Sequence, residues 1–301
     1  MKILITGATG LIGTELVSLL LQKGISIHYL TTSKIKIKDK DNYHGFYWNP
    51  TQGFIDENCL MGVDAIVHLA GASIAKRWTN SYKQEIIESR VLASNILFKA
   101  LRENPNQVKQ IVSASGTAIY PNSYEAVYSE TDTAIQDNFL SNVVVKWEES
   151  VNKFQSLNIK VCKLRTGIVF SKKGGALQEM IQPIRLGFGA NFGNGKQMSS
   201  WIHIRDIAEM YLFALMNTWE GTYNAVAPNP ISNKELTKAI AQKINRPLWL
   251  PNIPKFVMKL FLGDMHELLF DNKKNSSQKA IDHGFQFQFS TIEKALSNLL
   301  T

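Results

Sequence analysis

The sequence predicts an α/β protein built on a doubly wound parallel sheet, and two observations carry this prediction. An apolar run at residues 3–5 leads through a glycine-rich turn, residues 7–13, into an amphipathic stretch at residues 16–21. Strand-like and helix-like segments then alternate through the first two thirds of the 301 residues. Alternation of this kind, with right-handed crossovers, produces a parallel sheet covered by helices on both faces.

The first predicted element is a strand, a glycine turn and a helix in direct succession. Glycine lets the backbone turn tightly and come close to a pyrophosphate, and a helix start attracts phosphate through its free N–H groups and its dipole. Gly7, Gly10 and Gly13 have the spacing of a dinucleotide-binding turn in the required context. An ordinary tight turn between strand and helix is the alternative.

The later elements follow the same pattern. Strands are predicted at residues 25–30, 65–69, 110–114, 160–164 and 221–226, and helices at residues 86–101, 207–216 and 255–270. Ser232 and Glu235 form a predicted capping box that starts another helix. Ligands of such sheets bind beyond the carboxyl ends of the strands.

The predicted domains follow from a change in the sequence pattern after residue 170, where glycine-rich, loop-like stretches replace the alternation of strands and helices. Residues 1–170, completed by about residues 200–228, form the predicted nucleotide-binding domain. Residues 171–199 and 229–301 form a smaller C-terminal substrate lobe. The stretch 256–270 has helical apolar spacing, and a helix packed in this lobe is favoured over a membrane-surface helix.

Composition and motifs argue against nucleic-acid binding, a membrane span and a metal site. The formal net charge is +8, yet the densest basic run, residues 34–40, comes with no nucleic-acid reader motif, which favours a solvated loop. No apolar run has the length of a membrane span, the start does not resemble a signal peptide, and no metal-ligand spacing occurs. Cys59 and Cys162 lie in apolar segments as expected of buried thiols. A cytoplasmic location is therefore expected, and the oligomeric state stays open.

The end of the second strand indicates the cofactor. An NAD site usually places an acidic side chain there to bind the ribose 2′-hydroxyl. Here the strand ends in Thr31, Thr32, Ser33 and Lys34, with no acid. Hydroxyls and a lysine suit a 2′-phosphate, so NADP(H) is favoured over NAD(H). The alternative is that Lys34 belongs only to the solvated basic loop.

Several segments together resemble a known family. They are residues 5–13, 68–72, 76–78, 89–91, 113–115, 164–169, 200–206 and 284–287. The chain resembles the extended short-chain dehydrogenase/reductases, in particular the atypical NAD(P)-dependent epimerase-like subfamily with a C-terminal module of unknown function. The resemblance covers nearly the whole chain and implies a Rossmann domain followed by a substrate lobe.

The resemblance also implies roles for particular residues. Gly7, Gly10, Leu11 and Ile12 would bind the pyrophosphate, and Thr32, Ser33 and Lys34 match the adenosine-phosphate position. Leu69, Ala70 and Gly71 would line the far side of the dinucleotide, and Ser115 occupies the position of the active-site hydroxyl. The predicted cofactor set is completed by Thr9, Gly13, Arg77, Ser113, Arg165 and Gly167.

The chain departs from the superfamily at its catalytic pair, a tyrosine with a lysine four residues later. The lysine cation lowers the tyrosine pKa for proton transfer. None of the nine tyrosines here has a lysine at that spacing. Within residues 139–148, one register puts Asn142 and Lys146 in place of the pair, and another puts Leu140 and Val144 there.

Other groups are candidates for proton transfer. Ser115, Tyr120 and Lys146 are the predicted catalytic residues, with Arg77 and Lys146 also suited to stabilise an oxyanion. For each tyrosine the alternative is an aromatic at the rim with its hydroxyl in water. The leading hypothesis is an NADP-dependent oxidoreductase or epimerase-like enzyme that transfers hydride to or from a small polar, sugar-like substrate. The rival is a catalytically silent NADP(H)-binding sensor or interaction protein.

Overall fold

Seven parallel strands form the centre of a nine-stranded sheet in the computed structural model, which describes residues 1–300. The strands are β1 (Lys2–Thr6), β2 (Ser26–Thr31), β3 (Asp39–Lys40), β4 (Tyr43–Asn49), β5 (Phe54–Ile55), β6 (Ala65–His68), β7 (Gln110–Gly116), β8 (Val127–Tyr128), β9 (Lys160–Thr166), β10 (Ile168–Phe170), β11 (Met198–Ser199), β12 (Trp201–His203), β13 (Gly221–Ala225), β14 (Ile231–Ser232) and β15 (Lys274–Asn275). The helices are α1 (Leu11–Gln22), α2 (Asn80–Glu103), α3 (Phe139–Asn152), α4 (Ala176–Arg185), α5 (Ile204–Met216), α6 (Asn233–Lys243), α7 (Lys255–Leu262), α8 (Glu267–Phe270), α9 (Gln278–Asp282) and α10 (Ile292–Leu299). The predicted α/β class and parallel sheet are confirmed.

The strand order explains where a ligand can bind. The order is β13-β9-β7-β6-β1-β2-β4-β3, with β5 paired to β4. The chain winds outward from β1 through β2 to β4, then crosses to β6 and winds the other way. In such sheets the crevice lies where the winding reverses, beyond the carboxyl ends of the strands. Here that place is the gap between the ends of β1 and β6.

Apolar side chains cover both faces of the sheet. On one face, Ile3 and Ile5 of β1 share a core cluster with helices α1 and α5. On the other face, Leu4 of β1 clusters with buried residues of α2 and α3. Adjacent strand residues point to opposite faces, so strands buried on both sides are apolar at nearly every position. The doubly wound arrangement follows from this composition.

Strand β4 is not predicted by the sequence. Its residues mix aromatics with His44 and Gly45, and most are only half-buried. The strand is held by packing against β2, where the Tyr43 and Tyr29 rings stack at 4.4 Å. A Cβ on Gly45 would lie 2.5 Å from the Tyr29 ring, so glycine is needed for this approach. The contact is tertiary, which is why local pattern does not reveal it.

The C-terminal segments join the core of the sheet. Buried residues of α4, α6 and α10 belong to the same cluster as α1 and α5. The buried Asp206 carboxylate of α5 accepts hydrogen bonds from the backbone N–H groups of Gln288 and Phe289. The predicted capping box of Ser232 and Glu235 is confirmed at the start of α6. The division into a nucleotide-binding domain and a C-terminal lobe stays a prediction.

The stretch 256–270 differs from the expectation of one packed helix. It forms α7, a 3₁₀ turn and α8, and α7 contains no buried residue. The packed-helix prediction is therefore wrong for α7. Among the helices of residues 1–300, none combines the length and apolarity needed to cross a bilayer.

Two other predictions are confirmed. Cys59 and Cys162 are buried free thiols, and every residue from 34 to 40 is exposed.

Candidate functional site: a dinucleotide cleft and a buried ionic network

The glycine turn between β1 and α1 has the backbone geometry of a phosphate-binding turn. Gly7 has φ +72°, and a Cβ there would lie 3.0 Å from the Leu69 backbone. A Cβ on Gly13 would lie 2.2 Å from the Gly7 carbonyl oxygen. Gly10 is the N-cap of α1 and provides no side-chain cap, and no acidic residue occurs in the first turn. The helix therefore presents uncapped N–H groups and an uncompensated positive dipole end to an anion.

Thr6 fixes the opposite wall of the crevice. Its hydroxyl oxygen accepts from the N–H groups of Leu69 and Ala70 at 3.1 and 3.0 Å. The same oxygen lies 2.8 Å from His68 Nδ1, and His68 Nε2 lies 3.1 Å from Ser94 Oγ, which donates to the Arg90 carbonyl. One proton arrangement satisfies all these contacts: Thr6 donates to Nδ1, and Nε2–H donates to Ser94.

Burial supports this arrangement for His68. The ring is fully buried, and burial, aided by the nearby Arg90 charge, lowers the His68 pKa to about 4. The imidazole is thus neutral at neutral pH and accepts the Thr6 proton. The chain of bonds holds the loop after β6 against the glycine turn.

A cleft of about 460 Å³ opens between these two walls. This volume lies within the usual range for a small-molecule site of roughly 300–1,000 Å³. The structure brings six predicted cofactor residues to its lining: Gly7, Thr9, Thr32, Ser33, Ala70 and Gly71. Gly10, Leu11, Ile12 and Gly13 form the adjoining turn and first helical turn, and Leu69 contacts Gly7 through its backbone.

The lysine at the cleft is not the one that the sequence suggests. Lys36 lines the cleft with Thr32 and Ser33, whereas the Lys34 ammonium lies 5.1 Å from the centre of the Tyr47 ring. The segment after β2 forms a short 3₁₀ turn, which determines which of the neighbouring lysines reaches the cleft. The acidic side chains on the cleft come from α2, not from the end of β2.

A buried ionic network lies at the carboxyl ends of three neighbouring strands. Ser115, Arg165 and Asn224 are aligned in register on β7, β9 and β13, so they share one face of the sheet. Glu148 of α3 accepts from Arg165 Nε at 2.8 Å and Nη2 at 3.0 Å, and from Ser115 Oγ at 2.6 Å. Lys163 Nζ lies 3.3 Å from the same carboxylate.

Electrostatics keep this network ionised. Burial by itself would raise the Glu148 pKa, but the hydrogen bonds and charge of Arg165, with Lys163 and Ser115, hold the pKa below its ordinary value. Burial by itself would lower the Arg165 pKa, but the hydrogen bonds and charge of Glu148 outweigh burial and raise the Arg165 pKa. A charged, bidentate pair at this position orients the neighbouring hydroxyls.

Tyr120 is part of this network and does not reach the cleft. Its side chain is fully buried. The hydroxyl donates to Asn224 Oδ1 at 2.8 Å and accepts from Arg165 Nη1 at 2.9 Å. Burial raises the Tyr120 pKa, although Arg165 acts in the opposite direction. The Tyr120 hydroxyl therefore has hydrogen-bond partners within the protein. The alternative of an aromatic at the rim with its hydroxyl in water is wrong for this tyrosine.

The structure chooses between the two registers of α3. Val144 is buried, and its Cγ2 atom lies 3.3 Å from the Cβ position of Gly116, next to Ser115. Asn142 and Lys146 are exposed on the other side of the helix. The side chain of this pair that faces the strand end is therefore Val144, which belongs to the apolar register. The structure does not bring Lys146 to Ser115, because two residues along a helix rotate the side chain to nearly the opposite side.

The remaining predicted residues lie away from the cleft lining. Arg77 is exposed, with Nε 4.0 Å from the Cβ position of Gly263. Ser113 is fully buried and donates to the Ala114 carbonyl. A Cβ on Gly167 would lie 2.4 Å from the Ser200 carbonyl oxygen, so this glycine permits a close backbone contact. The three are not brought together with the residues of the cleft.

The residues of the site that the sequence does not predict include Thr6, Lys36, Glu148 and Asn224. Two of them have a local signal. Thr6 directly precedes the glycine turn, and Glu148 continues the Leu140–Val144 spacing by another four residues on the same helix face. Lys36 and Asn224 have none, because their positions depend on the 3₁₀ turn and on pairing of distant strands.

Comparison with known proteins identifies the family of this site. Residues 3–225 match the model of the NAD dependent epimerase/dehydratase family. The chain belongs to that family. Residues 253–299 match a domain of unknown function, DUF1731, in agreement with the C-terminal module implied by the resemblance. The epimerase family protein YfhF of Bacillus subtilis (strain 168) is 34% identical over 301 residues, covering 100% of this chain and 98% of that protein.

Solved structures agree with the family assignment. The human epimerase family protein SDR39U1 (isoform 2), determined with NADPH, superposes with a TM-score of 0.85 and 28% identity, covering 100% of this chain and 99% of the other. The UDP-glucose 4-epimerase of Thermus thermophilus, determined in complex with NAD, has a TM-score of 0.77, 18% identity and coverage of 100% and 97%. The second likeness concerns the fold alone. The family thus has the Rossmann-like nucleotide-binding fold described above.

Proposed function

We propose that the protein is an NADP(H)-dependent oxidoreductase or epimerase-type enzyme that transfers hydride to or from a small polar, sugar-like substrate. The observation that carries the proposal is the cleft between β1 and β6, with the uncapped α1 N-terminus at one wall and Thr32, Ser33 and Lys36 at one end. When bound, the nicotinamide supplies the hydride acceptor or donor. The buried free thiols support a reducing, cytoplasmic setting for this activity.

The cofactor preference rests on the end of β2. The residues there are hydroxyls and lysines, which suit a 2′-phosphate, and no carboxylate follows the strand to bind a ribose 2′-hydroxyl. The NADPH-bound human relative supports the same preference. In this proposal Lys36 pairs with the 2′-phosphate, the α1 N-terminus holds the pyrophosphate, and the Thr6-braced loop lines the far side.

The substrate side of the proposal rests on Ser115. Its proton is donated to the ionised Glu148 carboxylate, so its oxygen lone pairs remain for a ligand. Ser115 is then suited to accept a hydrogen bond from a substrate hydroxyl or from the nicotinamide amide. Sugar-like substrates present such hydroxyls, and the UDP-glucose epimerase shares the fold.

A specific observation also favours a second candidate, a catalytically silent NADP(H) sensor. Val144 faces the Ser115 strand end, Leu140 packs with Trp78 and Val143, and the Tyr120 hydroxyl is buried among protein partners. No tyrosine–lysine pair is therefore available for proton transfer at this position.

Titration of the purified protein with NADPH and NADH tests the cofactor proposal. We expect tighter binding of NADPH, and Lys36→Ala should weaken it by about tenfold while NADH binding is unchanged, as for a charge-assisted bond from an exposed lysine. The exposed neighbour Lys38→Ala is the matched control. Equal affinities for the two dinucleotides, unaffected by Lys36→Ala, would refute the 2′-phosphate assignment.

A turnover assay separates the enzyme from the sensor. The protein with NADPH or NADP⁺ is incubated with nucleotide sugars and small carbonyl compounds, and nicotinamide absorbance and substrate epimerisation are followed. The enzyme hypothesis predicts turnover that Ser115→Ala reduces and Lys146→Gln leaves unchanged, with NADPH binding retained in both variants. Tight NADPH binding without turnover of any tested substrate favours the sensor.

A further inference from the structure

The C-terminal part of the chain carries an apolar helix that the protein does not cover. Helix α7 exposes Phe256, Leu260 and Phe261 at 74%, 78% and 71% of their surface, and none of its residues is buried. Amphipathic helices of globular proteins normally bury their apolar side. A helix that instead exposes it marks an interaction surface.

A second chain segment extends this surface. Residues 191–193 run beside residue 253, with a bridge between Phe192 and Ile253 and a hydrogen bond from Gly193 N to the Ile253 carbonyl. Trp249 and Phe188, from the same two stretches of chain, are exposed at 68% and 61%. We call the exposed apolar residues of 183–198 and 247–263 the apolar face. They are Leu186, Phe188, Leu248, Trp249, Phe256, Leu260 and Phe261.

The charges of the two segments are of one sign. Residues 183–198 and 247–263 contain no Asp or Glu. They contain four basic residues, all exposed: Arg185, Lys196, Lys255 and Lys259. The next acid along the chain, Asp264, is paired with Lys83 at 2.6 Å. The Lys259 charge also contributes to lowering the Asp264 pKa, so this acid lies near one of the four cations. An apolar surface on which cations outnumber anions is complementary to an anionic, amphipathic partner.

We propose that the apolar face binds the surface of an anionic lipid bilayer. Phenylalanine and leucine insert at the boundary between headgroups and acyl chains, tryptophan favours that interface, and lysines extend to the phosphates. A second copy of the chain is less suitable, because a two-fold contact would bring the four cations of each copy against the same four. The proposal does not depend on the proposed function.

The segment that follows the apolar face connects it to helix α3. Directly after α7, Met265 and Leu268 pack in one cluster with Phe139 and Leu140 at the start of α3. The glycine turn and Lys36 belong to a separate part of the chain. Variants of the apolar face are therefore expected to leave dinucleotide binding unchanged, and this serves as the control for folding.

Vesicle flotation of the full chain tests the proposal. The protein should float with vesicles of phosphatidylcholine and phosphatidylglycerol and much less with phosphatidylcholine alone. Each cation near an anionic leaflet contributes about fivefold to the binding constant, so Lys255→Gln/Lys259→Gln should reduce binding by roughly 25-fold. Raising the salt from about 0.1 M to about 1 M should act in the same direction, because the screening length falls from about 10 Å to about 3 Å.

Apolar variants test insertion separately from charge. Leu260→Gln and Phe261→Gln should abolish flotation, since each removes apolar area from the helix without changing charge. Met61→Gln and Lys99→Gln, at exposed positions outside the apolar face, are the matched controls and should float like the wild type.

Tryptophan fluorescence gives a direct readout of insertion. Of the six tryptophans, Trp48, Trp78, Trp147, Trp201 and Trp219 are buried, whereas Trp249 is 68% exposed. Brominated lipid in the anionic vesicles should quench part of the emission, and Trp249→Phe should remove that quenched part.

Three outcomes would overturn the proposal. They are absence of flotation with anionic vesicles, equal flotation of Leu260→Gln and wild type, and flotation without quenching of Trp249. Concentration-dependent dimerisation in sedimentation that Leu260→Gln abolishes, together with no vesicle binding, would assign the apolar face to a second copy instead.

Discussion

Replacing Thr6 by valine removes one hydroxyl that holds together the ends of β1 and β6. Valine has nearly the same shape, so packing is retained while three hydrogen bonds are lost. The Leu69 N–H keeps a second partner, the Thr6 carbonyl at 3.1 Å. The Ala70 N–H and His68 Nδ1 are left without their partner. Each buried unsatisfied group costs about 1–3 kcal/mol, so the loss of both partners in Thr6→Val should lower the free energy of unfolding by about 2–6 kcal/mol.

The same substitution should loosen the cofactor site. The Leu69 backbone lies against Gly7, and Ala70 and Gly71 line the cleft. A loop that is no longer held by Thr6 must be ordered when the dinucleotide binds, so NADPH affinity should fall.

Urea unfolding and calorimetry with NADPH measure the two effects. Thr6→Ser retains the hydroxyl and loses only a methyl group, so it is the matched control. The reasoning is refuted if Thr6→Val and Thr6→Ser agree within about 0.5 kcal/mol in unfolding free energy, the usual scatter of neutral substitutions, and bind NADPH equally.

Three further predictions concern the ionic network, pH and the glycine turn. Glu148→Gln leaves a buried guanidinium uncompensated and should cost about 3–5 kcal/mol in urea unfolding, whereas the exposed neighbour Glu149→Gln should cost less than about 0.5 kcal/mol. Because the folded pKa of His68 is about 4 and the unfolded value is about 6.5, the unfolded state binds the proton first as pH falls. The contribution of His68 to the free energy of unfolding is therefore complete above about pH 6.5 and decreases as the pH falls toward 4. At pH 5 this contribution is lower by about 2 kcal/mol. His68→Gln should remove this part of the pH dependence of unfolding. Gly13→Ala places a Cβ 2.2 Å from a backbone carbonyl oxygen of the turn, so calorimetry should detect no NADPH binding to it; wild-type affinity would contradict the close-approach argument.

The sequence alone is sufficient for the fold class and the location of the glycine turn. Both depend on local features: apolar runs of strand length, glycines at required spacing, and the polar or charged residues at a strand end. For the same reason the capping box, the buried thiols and the exposed basic run are predicted correctly.

Tertiary structure decides what depends on residues far apart in the chain. The register of α3, with Val144 and Glu148 facing Ser115 while Lys146 faces solvent, depends on how the helix packs against β7. Whether Lys34 or Lys36 reaches the cleft depends on a turn that rests on β4, a strand with no clear local pattern.

Helix α7 also shows that local sequence does not determine tertiary contacts, here because an expected contact is missing. Its apolar spacing predicts a packed helix, because a hydrophobic side chain normally finds a partner within the fold. Periodicity determines which residues share a helix face, and only the arrangement of the other elements decides whether anything covers that face. The sequence by itself thus determined the elements and the chemistry of each loop, and the tertiary structure determined which side chains meet.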